Sequence, residues 1–91
     1  MLFRSPSVFS LAVFPNPTIS DVQLRLELTK NSVVNYTLID ALGRTILSKS
    51  NDLLQKGEQN LWLPMREMTN GVYFLKVNIG DLAFVKKIVK E

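Results

Sequence analysis

Val22-Gln23-Leu24-Arg25-Leu26-Glu27-Leu28-Thr29 alternates apolar and polar residues one for one. That period of two belongs to a β-strand with one buried and one wet face, because successive side chains leave a pleated backbone on opposite sides. No segment carries a sustained helical period. Working outward, Lys30-Asn31-Ser32 turns the chain, and Val34, Tyr36 and Leu38 alternate with Asn35 and Thr37 in the next strand. Asp40-Ala41-Leu42-Gly43 reads as a tight turn in which glycine supplies a positive φ. Arg44–Lys49 is a weaker strand, followed by a polar loop around Asn51-Asp52 and Gln55-Lys56-Gly57. Glu58–Leu63 is a strand stopped by Pro64, and Met65–Thr69 is a bend or a single helical turn. Asn70-Gly71 opens a strand that places Tyr73, Leu75, Val77 and Ile79 on one face. Gly80-Asp81 is a two-residue hairpin turn into the strand Leu82–Lys90. On the other side, Leu11–Phe14 is a short first strand stopped by Pro15-Asn16-Pro17. Seven strands with regularly spaced turns predict an all-β fold, an antiparallel sandwich, with a small barrel as the rival on pattern alone.

Composition agrees with one small domain. The chain has 91 residues, 46% of them hydrophobic and 21% charged, enough apolar matter for a core and too little charge for disorder. Cysteine is absent, so stability must come from packing, and no thiolate metal site can form. The net charge is +3, and basic residues such as Arg25, Arg44, Lys49, Lys56 and Lys76 are spread along the chain, without the dense basic stripe of a nucleic-acid binder. No run is long enough for a transmembrane segment. Residues 1–10 contain two short apolar patches broken by Pro6 and lack the continuous hydrophobic core of a signal peptide. They read as a linker or fragment boundary, with the domain proper at 11–91.

Catalysis is not expected. Histidine is absent, so the serines have no imidazole base and no imidazole can hold a metal. Asp21, Asp40, Asp52 and Asp81 fall at strand ends or loops, where aspartate serves turns. Neither cofactor nor metal is implied, Asn51-Asp52 being too thin a cluster for calcium. Trp62 alternates with Leu61 and Leu63 and so points away from them; it is expected to cover an edge of the core, with a sugar-stacking platform as the other reading. Tyr73 is expected in the core with its hydroxyl reaching a backbone partner at the rim, and Phe14, Phe74 and Phe84 are read as packing residues.

The strand Leu82–Lys90 is apolar and carries Lys86, Lys87 and Lys90. Lysines on an edge strand guard against edge-to-edge pairing. An edge with apolar side chains and free backbone groups is also a template for strand addition by a partner. Physics leaves the two readings open.

Three stretches resemble a known family, the type A C-terminal sorting domains of the type IX (Por) secretion system of Bacteroidota. Val13-Phe14-Pro15-Asn16-Pro17-Thr18 is similar to the opening aromatic-Pro-Asn-Pro motif. Leu38-Ile39-Asp40-Ala41-Leu42-Gly43-Arg44 resembles the central strand–Asp-x-x-Gly-Arg element. Asn70–Val77, with Val85–Lys90, resembles the closing Gly-Val-Tyr strand and lysine-rich last strand. The resemblance covers roughly residues 11–90, in order.

It implies an immunoglobulin-like arrangement of the sandwich and a non-catalytic secretion signal. The cargo, expected to lie N-terminal and absent from this chain, would pass through the periplasm and be carried across the outer membrane to the surface or the medium. The partners implied are the secretion machinery, namely an outer-membrane shuttle and a surface sortase that removes the domain, with cleavage upstream of Val13 and within Arg4–Ser10. By the same resemblance Gly71, Tyr73, Lys86, Lys87, Val89 and Lys90 belong to the signal, Pro15, Asn16 and Pro17 to its N-terminal motif, and Asp40 and Gly43 to its turn. Glu91 follows Lys90 where many members stop at the basic residue. The other readings are a carbohydrate-binding or adhesive module of a secreted enzyme and a passive spacer.

Overall fold

A computed structural model describes residues 8–91. They form β1 (Val8–Phe14), β2 (Val22–Leu28), β3 (Ser32–Asp40), β4 (Thr45–Leu54), β5 (Gly57–Leu63), β6 (Gly71–Ile79) and β7 (Leu82–Lys90). One sheet has the order β1-β2-β5 and the other β4-β3-β6-β7. Every neighbouring pair is antiparallel. An eighth β element, the single residue Thr18, bridges in parallel to Lys90, so the expected count of seven falls one short. The polyproline turn after β1 swings the chain against β7 before it enters β2. Two separate sheets with free edges also dispose of the barrel.

The period-two pattern is realised as burial. Val22, Leu24, Leu26 and Leu28 are buried, whereas Arg25 and Glu27 are exposed. On the second sheet Val34, Leu38, Tyr73, Leu75, Val77, Ile79 and Ile88 turn inward, and both inner faces meet in one hydrophobic cluster with Leu63 and Met65. Each such aliphatic side chain contributes about 1.5–3 kcal/mol when fully removed from water. Met65 reaches the core because the chain after β5 folds into a turn closed by Met68 N–H donating to the Met65 carbonyl (3.0 Å).

Four expectations need correction. Residues 51 and 52 lie inside β4, which runs to Leu54; a shift of register, with Val34 opposite Asp52 and Tyr36 opposite Lys49, lets the polar stretch stay in the sheet. Trp62 is 62% exposed, because β5 is an edge strand and Trp62 has the parity opposite to buried Leu63. Phe74 is half-buried on the outward parity of β6, between buried Tyr73 and Leu75, and Phe14 is likewise half-buried on the outer face, opposite Gln23; of the three phenylalanines expected to pack, Phe84 alone lies against the core cluster. Finally, β1 takes in Val8–Ser10, pairing Val8 with Leu28 and Ser10 with Glu27. The rest of the expected cleavage segment, residues 4–7, lies outside the described residues.

Candidate functional site

Strand register brings the separated sequence motifs to one end of the second sheet. Asp40 at the end of β3 lies opposite Tyr73 near the start of β6, and Tyr73 lies opposite Ile88 near the end of β7. One step along, Thr45, Ile39, Phe74 and Lys87 form a row across all four strands. Gly71 faces Lys90, and Lys90 bridges to Thr18. Antiparallel order puts the end of one strand beside the start of the next, so the Asp40 turn, the Gly71-Val72-Tyr73 start, the β7 end and the Pro15–Thr18 segment share a pole.

The Pro-Asn-Pro segment clasps the free edge of β7. Asn16 Nδ2 donates to the Lys87 carbonyl (2.7 Å). Its Oδ1 accepts from the Val89 N–H (3.0 Å). One amide side chain thus stands in for the backbone of a neighbouring strand. Two residues on, Thr18 N–H donates to the Val89 carbonyl (2.9 Å) and Glu91 N–H donates to the Thr18 carbonyl (2.8 Å). Prolines suit this place because they offer no N–H that would be left unpaired. Thr18 is buried, and its Oγ1 hydrogen-bonds within its own turn, donating to the Ser20 carbonyl (2.9 Å). Asn16→Ala is expected to lower stability by about 1–2 kcal/mol, two exposed hydrogen bonds at the usual net value. Hydrogen exchange at Val89 should accelerate more than at Leu75, which sits in the middle of β6; uniform acceleration would contradict a local clasp.

The β3–β4 turn is built on Asp40. Its Oδ1 accepts from the N–H of Leu42 and of Arg44 (2.9 Å each), and its Oδ2 from Arg44 Nε (2.7 Å). Gly43, at φ +85°, takes the left-handed backbone that closes the turn. The Asp40 pKa is lowered, chiefly by the Arg44 N–H; partial burial opposes this, and the Arg44 guanidinium and Leu42 N–H reinforce it. Because the folded state favours the ionised form, the turn's contribution is complete above the unfolded carboxyl pKa of about 3.9 and is lost as pH falls through the lower folded value. Asp40→Asn is therefore expected to flatten the acid limb of a melting-temperature profile without changing its neutral limb in shape. An unaltered acid limb would assign the acid sensitivity elsewhere.

Tyr73 behaves as the sequence implied. It is 5% exposed, and its hydroxyl donates to the Thr69 carbonyl (2.7 Å). The lysines diverge. Lys86 and Lys87 are exposed on opposite parities, Lys86 on the inward one, where it faces Leu75 from the edge strand. Lys90 is 6% exposed, with Nζ donating to the Glu91 carbonyl (3.1 Å). Val89 is half-buried on the outer face. Sequence reasoning missed Thr18 and Thr69 as partners of the pole; a β-branched residue directly after Pro-Asn-Pro was the available signal for Thr18. Among the described residues no group of three or more His, Cys, Asp or Glu could hold a metal ion. No helix among them is long and apolar enough to cross a membrane.

A family model described as a secretion system C-terminal sorting domain matches residues 12–91. No curated protein matches the chain.

Proposed function

We propose, from the premise that this chain belongs to the family of secretion system C-terminal sorting domains and is the C-terminal sorting signal for type IX secretion, that the signal is read at the pole where its motifs meet. The observation that carries this reading is the clasp, which ties the Asn16 motif to Lys87 and Val89 across more than seventy residues of sequence. A partner at this pole would meet Gly71, Lys86, Lys87 and Val89 together with Pro15, Asn16, Pro17 and the Asp40–Gly43 turn. Tyr73 and Lys90, being buried, would act by holding the pole in shape. Membership in the family implies export to the cell surface or the extracellular space; transit through the periplasm, an outer-membrane shuttle, removal by a surface sortase and an N-terminal cargo belong to the proposal.

The arrangement of the sheets supports an immunoglobulin-like reading. The orders β1-β2-β5 and β4-β3-β6-β7 are those of a Greek-key sandwich, and the Tyr73 hydroxyl bonding back to Thr69 at the start of β6 is the corner that such sandwiches use at the equivalent strand. Cleavage is proposed upstream of Val8, because residues 8–14 are paired with β2 and sheet-paired backbone resists proteases. The domain acts without chemistry of its own. Family membership does not favour the carbohydrate-binding reading.

The test is export itself. Residues 8–91 fused to a periplasm-directed fluorescent protein should carry it to the surface or medium in a host with the secretion system. The same fusion should stay inside a strain lacking that system. Equal export from both strains would reject the sorting role.

A further inference from the structure

The two outer faces of the sandwich differ in kind. On β1-β2-β5 the polar outward residues around Arg25 satisfy one another, beside the exposed Trp62. Arg25 lies over the Phe14 ring, 5.0 Å from its centroid. Its Nε is 3.2 Å from Glu58 Oε1 and donates to Asn60 Oδ1 (3.2 Å), to which Gln23 also donates (2.6 Å). Polar groups matched in this way form a solvated surface, with Trp62 as its exposed apolar exception.

The outer face of β3-β6-β7 is not built so. Alternation from buried Leu38, Leu75 and Ile88 turns Thr37, Ile39, Val72, Phe74, Lys76, Val85, Lys87 and Val89 outward, in the rows Ile39–Phe74–Lys87 and Thr37–Lys76–Val85. Among the described residues no aspartate or glutamate takes an outward position on these three strands. Val85 is 61% exposed despite its lysine neighbour, and Lys76 and Lys87 enter no ion pair among the described residues. Thr37, Ile39, Thr45, Lys76 and Val85 line a shallow depression of about 330 Å³. The ordinary account of such lysines is that their stems cover apolar surface while their heads stay in water. That account leaves unexplained why strand β6 is apolar on both faces at Val72–Leu75, a pattern typical of strands covered on both sides.

We infer that this face is a docking surface for a protein partner that presents an apolar projection flanked by carboxylates. The projection would sit over Ile39, Phe74 and Val85, and the carboxylates would pair with Lys76 and Lys87. Charge complementarity selects this occupant over a second copy of the chain, since stacking the face on itself would set lysines against lysines. The inference rests on the sorting reading and deepens it. It moves the contact from the edge of β7, where Asn16 and Thr18 already occupy the last residues, to the flat face beside that edge.

The experiment uses the fluorescent fusion with three variants: Lys76→Glu/Lys87→Glu, Val85→Asp, and Trp62→Ala on the opposite sheet. The first two should lower export roughly tenfold or more, as like charge or a buried carboxylate at a contact does. Trp62→Ala should export like the parent. All three purified domains should melt within a few degrees of it, since each change is at an exposed site. Parent-level export of either face variant, folded, would overturn the inference, as would an equal loss with Trp62→Ala. A parent domain that sediments as a dimer and becomes monomeric on Lys76→Glu/Lys87→Glu would overturn it in favour of self-association. Failure of the unmodified fusion to leave the cell would instead reject the sorting reading.

Discussion

Leu75→Ala is expected to lower the unfolding free energy by about 2–5 kcal/mol, the range for deleting a buried leucine side chain and leaving a cavity. The upper part of that range is the better expectation here. Leu75 has no exposed surface, sits in the centre of β6, and is flanked in the sheet by Leu38 on one side and Lys86 on the other. Its neighbours are held by ladders on both sides, so the cavity cannot close by moving one strand. Small domains hold only about 5–15 kcal/mol in all, so one such cavity removes a large part of the margin. Chemical denaturation should show a lower midpoint with an unchanged slope. A loss under about 1 kcal/mol would mean that the two sheets are less tightly packed than the common cluster indicates.

Removal of Lys86–Glu91 is expected to have the larger effect, abolishing both export and cooperative folding. The deletion takes away Ile88, which has no exposed surface, and the partners of Gly71–Leu75 in the β6–β7 ladder. It also strands Asn16 and Thr18, whose hydrogen bonds end on Lys87, Val89 and Glu91. Buried Tyr73 and Leu75 would then face water, and the backbone of β6 would lose its ladder on one side. Circular dichroism melting of the truncated domain should lose its sharp transition. Because fold and signal fail together in this deletion, lost export by itself does not single out the lysines; the folded surface variants at Lys76, Lys87 and Val85 do. A truncated domain that melts sharply near the parent temperature would show β7 to be an accessory strand rather than a wall of the core.

Much of the architecture was legible from local pattern. The alternation in Val22–Leu28 became the burial seen in β2, and Gly80-Asp81 fixed the β6–β7 hairpin, since a two-residue connection permits little else. Tyr73 was legible as well, because its strand parity and its hydroxyl together demand a buried ring and a nearby acceptor. Trp62 was misread for a physical reason. Parity says that it opposes Leu61 and Leu63, but not whether another layer covers the outer face. The polar stretch at 51–52 was misread because a register shift lets a strand absorb residues that, taken alone, resemble a loop.

By itself, then, the sequence determined which side chains share a face of each strand, where most of the chain's reversals fall, and which motifs mark the domain as a secretion signal. These properties depend on neighbours within a few residues, and periodicity records them. Which strand lies beside which, the clasp of Asn16 on β7, the burial of Lys90, a residue expected to belong to the signal, and the acid-free outer face around Val85 were decided only by tertiary structure. Each comes from pairing between residues far apart in the chain, as in the Asn16 contacts 71 and 73 positions away. Such pairing is chosen by the packing of the whole core, and no local pattern encodes it.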